Sequence, residues 1–530
     1  MSPDHMRDYP PRRYQRRAIL KGTAAVGLAA VAGPTAWRQS DAWASGPAAP
    51  QWIAYGAHPS TQMYLSWSTG TASGTQQAPP HPQVRWGLDA SYGATQPAAN
   101  SGPVPVPPAV HGEPAENTIY NNTLLTGLDP GTRYHYSVSN DGVTWGPDTT
   151  FRTAPAGAGD FRFAAFGDQG THQDTTLPMA ALVASHGPAF CLVAGDLGYA
   201  TAVPSPIPHT KRFKPAAWDA YLGIVGPAAA QSIPWQVGVG CHEIEPLASH
   251  GYAGFITRFP QPYDAASGSP VVYAFSYANV AFIHLDGNDL SAQAPQNNGY
   301  TQGAQTSWLA GKLAAYRAPG SGIDFIVAIF GNCMFSSNQK HNSDGGIRSI
   351  WQPLFDQHHV DLVINGHVHA YERTNPMRAG KPTATVPSGG TVHPQTGGTT
   401  YICVGGGGQG LYRDWYGTTG AGDAGAPKPP RVWEWSGGDS SAGGSGKPAD
   451  VADSATGYSA FRHACWHCLV VDVEAPAGPG GETRMHVRAL APAQTLTRVT
   501  SITSPRVIDS VTLLRRSQPA AGPGRAGMAR

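Results

Sequence analysis

Four short segments, FGDQG, GDLGY, GCHE and GHVH, each set at or just beyond the end of an apolar run, constrain this 530-residue chain more than any other feature. A strand can be placed in many folds, but strands that repeatedly end in metal-ligand residues must bring those ligands to one common edge. Asp168 follows the run 161–166, Asp196 and Tyr199 follow 190–194, Cys241 and His242 follow 234–239, and His367 and His369 follow 360–364. Together they offer two carboxylates, a phenol, a thiol and three imidazoles, a mixture suited to iron or zinc rather than magnesium or calcium. Gly-Asp after a strand is often only a turn. Four such segments in order, at the spacing of strand–helix–strand units, point instead to a metal site.

The series resembles the purple acid phosphatases of the calcineurin-like metallophosphoesterase superfamily, whose pattern is GDxG, GDxxY, GNH[ED], VxxH and GHxH. Three of these match in full, at 167–170, 195–199 and 366–369. The resemblance implies a binuclear metal centre. Asp168, Tyr199 and His369 would hold a first, ferric ion, with Asp196 bridging to a second ion of zinc, iron or manganese. Ferric iron is hard and highly charged, so carboxylate and phenolate oxygens suit it, and a tyrosinate bound to it would colour the protein.

The second metal position departs from the family. The asparagine of GNH[ED] is Cys241, and the histidine of VxxH falls on Gly331, which has no side chain to donate. His367 and Asp196 remain, joined by Cys241, whose soft thiolate favours zinc. Asn332 reaches the ion only if the strand has already turned there, because neighbours on a strand face opposite sides. On this reading Cys241→Asn with Gly331→His returns two donors to the weakened site. His242, and His341 ten positions beyond Gly331, fall where the resembling enzymes place substrate-contacting histidines. Both are candidate catalytic groups, offsetting charge on phosphoryl oxygens and protonating the leaving alkoxide.

Composition is consistent with an exported enzyme acting on a phosphoester small molecule or a phosphorylated macromolecule. Lys plus Arg is 35 against 34 Asp plus Glu, a net charge of +1, which gives no electrostatic case for nucleic acid or an anionic membrane. Residues 1–44 read as a twin-arginine-type signal peptide. Arg16-Arg17 and Lys21 precede a small apolar run, and Ala42-Trp43-Ala44 has a cleavage form. The expected destination is the periplasm or the exterior, with no membrane association after the signal is removed. Oligomeric state is left open.

A chain of this length calls for more than one core. Residues 45–155 alternate in strand fashion between Pro-Gly turns. The segment from Leu128 to Tyr136, L-x-P-G-T-x-Y-x-Y, resembles the fibronectin-type-III-like domain that precedes the catalytic domain of plant-type purple acid phosphatases, with Tyr134 as its corner tyrosine. From about residue 158 to 516 the period changes to strand, loop, helix, the mark of α/β layering. The family fold there is a four-layer α/β/β/α metallophosphoesterase sandwich. Residues 379–458, rich in Gly, Ser, Thr and Pro, read as a long excursion around a short strand at 400–404 that could overhang the site. Residues 517–530 read as a disordered tail.

Six cysteines in an oxidising compartment are candidates for pairing, Cys241 with Cys333 among them, a bond that would remove the thiol ligand. The C-x-x-C at 465–468 runs into a strand and reads as core or disulfide rather than a zinc site. The resemblance as a whole implies a metal-dependent phosphoester hydrolase in which a metal-activated water attacks phosphorus in line. The alternative is an impaired or non-catalytic phosphate-binding or adhesive protein on the same scaffold, keeping one metal. Nothing in the sequence separates monoesters from diesters.

Overall fold

The computed structural model describes residues 50–69, 81–102, 104, 118–201, 203–204, 211–246, 249–416, 429–435, 448–478 and 480–517. The twin-arginine segment, its cleavage form and the tail from 518 onward lie outside the described residues.

Residues 51–152 form two four-stranded antiparallel sheets. One runs in the order Gln51–Tyr55, Met63–Thr69, Ile119–Leu125, Ala99–Ser101, and the other Ala94–Pro97, Gln83–Gly87, Arg133–Ser139, Thr149–Arg152. Alternation puts Met63, Leu65, Trp67, Val84, Tyr136 and Val138 into one shared core. The Tyr134 hydroxyl accepts the Asp129 N–H at 2.8 Å, closing the corner expected of it.

The larger part is built on two seven-stranded sheets packed face to face. The first runs Trp235–Val237, Phe190–Val193, Phe161–Phe166, Cys468–Glu474, Glu482–Gln494, Val499–Arg516, Gly390–Val392. The second runs Tyr273–Tyr277, Val280–His284, Phe325–Phe330, Leu362–Asn365, Thr400–Val404, Tyr371–Thr374, Ser459–His463. Central strands such as FIVAIF at 325–330 are wholly buried because both of their faces are covered, which is why they read as continuous rather than alternating apolar runs. Between the sheets Phe163 stacks on Phe190 at 5.6 Å, and Phe282 meets Phe190 edge-on at 5.1 Å. Helices Thr176–Ser185 and Ala216–Val225 belong to the core on the outer face of the first sheet, and Ala304–Arg317 and Gly345–Gln357 to that of the second. The result is the α/β/β/α sandwich expected from the sequence. The hairpin of 13 and 18 residues at 482–516 gave no comparable signal, because its polar, solvent-facing positions dilute the apolar period.

Two expectations are corrected. The described part of the 379–458 excursion is built into the frame at 390–392 and 400–404, and its stretch 405–412 packs over the site, with Tyr412 against His369. Gly390–Val392 extends the first sheet beside Val499–Arg516, and Thr400–Val404 is an interior strand of the second, paired on both sides. All six cysteines are free. Cys333 donates to the Phe335 carbonyl at 3.2 Å inside a small core with Val368, Ala370 and Cys403, turned to its own partners rather than to Cys241.

The β-sandwich is docked by buried polar contacts. Trp52 Nε1 donates to the Arg258 carbonyl at 3.0 Å, the Tyr55 N–H to Gln236 Oε1 at 2.7 Å, and the Tyr136 hydroxyl to the Gln231 carbonyl at 2.7 Å. Arg258, wholly buried, donates to Tyr120 Oη at 3.0 Å and lies 3.6 Å from Glu245.

The two large sheets are also tied by charge. Arg373 Nε meets Asp509 Oδ2 at 2.6 Å, the Tyr371 hydroxyl donates to the same oxygen at 2.8 Å, and both charged side chains are fully buried. Arg373→Met keeps the length of the side chain but strands the carboxylate, so it should lower stability by about 3–5 kcal/mol. Denaturant unfolding measures this, and a wild-type midpoint would show that Asp509 finds its compensation elsewhere.

Candidate metal centre

The ligand residues converge because the loops after the strands turn sharply inward. Asp168, Asp196, Tyr199 and His367 all have positive φ, at 58°, 53°, 54° and 71°, in a region that non-glycine residues seldom occupy. Such strain is held in place only where the surroundings over-determine it. Here the surroundings are backbone. A side chain on Gly195 would run into Gly240, and one on Gly405, Gly407 or Gly408 into the carbonyls of Val368, Gly167 and Gln169. The glycine run 405–408 is therefore a packing requirement, and its amides continue the closure, with Gly407 N–H to Gly167 O at 2.9 Å and Gln409 N–H to Asp168 O at 3.0 Å.

Two donor sets result. In the first, the Tyr199 hydroxyl lies 2.9 Å from both Asp168 Oδ1 and His369 Nε2, and those two atoms are 3.3 Å apart. Donors at right angles, each about 2.1 Å from one ion, would be roughly 3.0 Å apart, so this triangle fits a metal. His369 Nδ1 donates to the Gly410 carbonyl at 2.7 Å, and burial brings the ring down to about 4, which leaves Nε2 as the lone-pair nitrogen. In the second set, Cys241 Sγ lies 3.9 Å from Asp196 Oδ2 and 3.7 Å from His367 Nδ1, and His367 Nδ1 lies 3.7 Å from that same oxygen. Tetrahedral zinc with one sulfur among its donors would hold them roughly 3.4–3.6 Å apart, a contraction of a few tenths of an ångström. These three residues also form a group whose ligand atoms lie within 4.8 Å of one another.

Electrostatics favour a cation. Asp168 and Asp196 are 0% and 1% exposed. Burial, reinforced by the Asp196 charge, raises the Asp168 pKa. Burial acts on Asp196 in the same sense, but His242 and His367 outweigh it and hold that carboxyl below the usual range. Burial and Asp168 push the Tyr199 phenol well up, so a phenolate there needs a strong Lewis acid beside it.

The remaining candidates surround these sets. The His242 N–H donates to Asp196 Oδ1 at 2.7 Å, and its ring lies 4.2 Å from that of Tyr199. The His341 ring lies 4.3 Å from that of His367 and 5.2 Å from Tyr412. Asn332 is turned away, donating to Ser291 Oγ at 3.0 Å. Position 331 has no room for a side chain, since a Cβ there would lie 2.6 Å from Gly240 Cα and 2.9 Å from Val239 O. The expectation that Gly331→His would return a donor is thus overturned by backbone sterics.

Two contributors were missed in the sequence. Glu243, the last residue of GCHE, accepts the N–H groups of Asp196 and Gly240 at 2.7 Å and of Leu197 at 2.8 Å, clamping two ligand loops together. Burial and the nearby Asp196 raise its pKa to about 8. Its place in the motif was the available signal. Tyr412 stacks on His369 at 4.1 Å and 10° and donates its N–H to the His369 carbonyl at 3.0 Å. It lies 43 positions beyond His369 in a loop with no periodic pattern, so nothing local marked it.

Comparison with known proteins agrees with the fold. Residues 51–153 match the family model described as purple acid phosphatase, N-terminal domain. Over 449 residues the chain is 31% identical to the uncharacterized protein Rv2577 of Mycobacterium tuberculosis, covering 76% of this chain and 79% of that protein. It is 30% identical over 280 residues to purple acid phosphatase 23 of Arabidopsis thaliana, covering 48% of this chain and 58% of the plant protein. Among solved structures, the purple acid phosphatase PPD1 from yellow lupin seeds superposes with a TM-score of 0.61 at 16% identity, over 89% of this chain and 75% of that one. The chain thus carries a match to the purple acid phosphatase N-terminal domain, is similar in sequence to plant purple acid phosphatases and shares the fold of one of them.

Proposed function

We propose that the chain is an exported, metal-dependent phosphoester hydrolase. The observation that carries this reading is the pair of donor sets, one of oxygen and nitrogen and one containing sulfur, held by the same loops with His242 and His341 beside them. Asp168, Tyr199 and His369 would hold a ferric ion. Asp196, Cys241 and His367 would hold zinc, with Asp196 bridging. Three protein ligands and one open position is the usual composition of a catalytic zinc site, so the lack of a donor at 331 does not by itself disable the second ion. When bound, such ions polarise phosphoryl oxygens and ease deprotonation of the attacking water.

The chain's own groups supply the rest. His242, fixed through its N–H to Asp196, offers its ring to the phosphoryl oxygens beside Tyr199. His341 is held well below its ordinary pKa by burial and then by the nearby His367 and His369, so it enters the reaction neutral. An anionic substrate favours the imidazolium, which makes His341 able to take a proton as substrate binds and give it to the leaving alkoxide. The basic N-terminal segment supports export of the folded, metal-loaded protein. Among the described residues no helix is long and apolar enough to cross a membrane.

A second reading, one metal and phosphate binding without turnover, draws on the closed position at Gly331. Metal analysis of purified protein together with hydrolysis of p-nitrophenyl phosphate across pH separates the two. The hydrolase should carry about two metals per chain and turn over, whereas one metal with no hydrolysis above the metal-free background would establish the second reading.

Cys241→Ala should weaken the second ion by more than the roughly 10- to 100-fold typical of an outer partner, while the first ion stays. Retention of both metals with unchanged activity would remove Cys241 from the ligand set. Tyr199→Phe in iron-loaded protein should abolish the visible absorption band with the far-UV circular dichroism unchanged. A wild-type protein that holds iron but is colourless would remove Tyr199 from the first site.

A further inference from the structure

The edge strand Ser459–His463 and the C-terminal hairpin 482–516 line a cavity of about 690 Å³ that the hydrolase reading does not use. Its basic lining residues are Arg413, His463 and Arg506, and among the described residues no carboxylate lines it. Several arginines elsewhere are matched, Arg162 and Arg488 with Asp472, Arg348 with Asp453 and Arg431 with Asp450. Among the described residues neither the Arg413 nor the Arg506 guanidinium has a hydrogen-bond or ion-pair partner. The two charges act at one place. After burial, Arg506 and Arg413 are what lower His463, and the same pair opposes the burial that raises Cys465 to about 12. Ser504 adds a hydroxyl to the lining.

The cavity lies close to the metal centre. Arg413 directly follows Tyr412, whose ring stacks on His369. His463 pairs across the ladder with Tyr371, two residues beyond His369. Two residues of chain and one interstrand step put the backbone at 463 within about 10 Å of that at 369.

We infer that this cavity binds a tetrahedral oxyanion of the phosphate type, taken by the two guanidinium groups with the imidazole and hydroxyl alongside. Guanidinium forks match phosphate oxygens two at a time, and an anion there offsets the two guanidinium charges that line one cavity without a counter-charge among the described residues. Two sources share this chemistry: a second phosphoryl group on a substrate whose first lies at the metals, which rests on the hydrolase reading, and free phosphate, which does not.

The test uses the metal-loaded full chain and Arg506→Ala, a change on an exposed strand position outside the metal centre, with Arg506→Glu as a second variant. Isothermal titration with inorganic phosphate should show one fewer phosphate bound per variant chain than per wild-type chain, whether or not the metal centre itself takes phosphate. Equal stoichiometry and affinity in wild type and both variants overturns the site, as does the absence of saturable binding at millimolar phosphate. Kinetics then identify the source. If a substrate phosphoryl group occupies the cavity, Arg506→Ala raises KM for tripolyphosphate about tenfold and leaves KM for p-nitrophenyl phosphate unchanged. If free phosphate is the occupant, both KM values stay as they are while phosphate binding falls. Loss of titrated phosphate without any hydrolysis in the wild type supports the site and counts against the hydrolase reading alone.

Discussion

Two carboxylates withdrawn from water at the junction of two sheets are the constraint on which this protein depends. Asp168 and Asp196 are buried close enough for the Asp196 charge to raise Asp168, and among the described residues no lysine or arginine is bonded to either. Burial of like charges is costly without compensation. The chain meets part of that cost with main-chain N–H groups, from His367 to Asp168 and from His242 to Asp196, both at 2.7 Å. The remainder falls to imidazoles, a phenol and a thiol that are themselves poor sources of positive charge. A cation would resolve the arrangement, and the donor separations match a metal's coordination sphere in the first set and lie a few tenths of an ångström beyond it in the second.

That requirement explains the surrounding backbone. Four donors adopt left-handed conformations, each costing on the order of 1–3 kcal/mol, and they hold only because glycines at 195, 240, 331 and 405–408 let neighbouring loops touch main chain to main chain. Glu243 fastens the same loops with three N–H acceptances. Closeness of this kind admits no side chain at 331, so the geometry that secures the first set of donors also removes a donor from the second. Cys241 stands where that loss would otherwise leave Asp196 and His367 alone. The frame beneath is correspondingly stiff, with aromatic stacking between the sheets, Arg373 and Asp509 bridging them, and the β-sandwich locked on through Trp52, Tyr55 and the buried Arg258.

Much of the frame was legible in the chain. Runs such as 161–166 and 325–330 appear as strands with the bounds their apolar residues suggest, because strands covered on both faces carry an unbroken apolar signal. Helices around 177, 307 and 347 begin one to three residues earlier than their periodic pattern, since first turns are set by caps and tertiary contacts; Asp344 caps the last of them through the Ile347 N–H. The hairpin at 482–516 and the built-in course of 379–404 were not legible. Glycine-rich and polar segments say little locally, and their pairing partners are distant in sequence.

What the sequence by itself determined is the kind of chemistry. Donor identity is a property of side chains, and the order of Asp168, Asp196, Tyr199, Cys241, His367 and His369 after apolar runs is visible without coordinates. The resemblance implied how those donors are grouped, and the tertiary structure supplies the geometry that groups them. It put Tyr199 with Asp168 and His369, and Cys241 with Asp196 and His367, because strand order and loop curvature control distances between residues up to 201 positions apart. It also decided that 331 is closed, that Tyr412 covers His369, and that the cysteines stay apart, since each outcome is set by the backbone of another loop rather than by the residue's own neighbours in the chain.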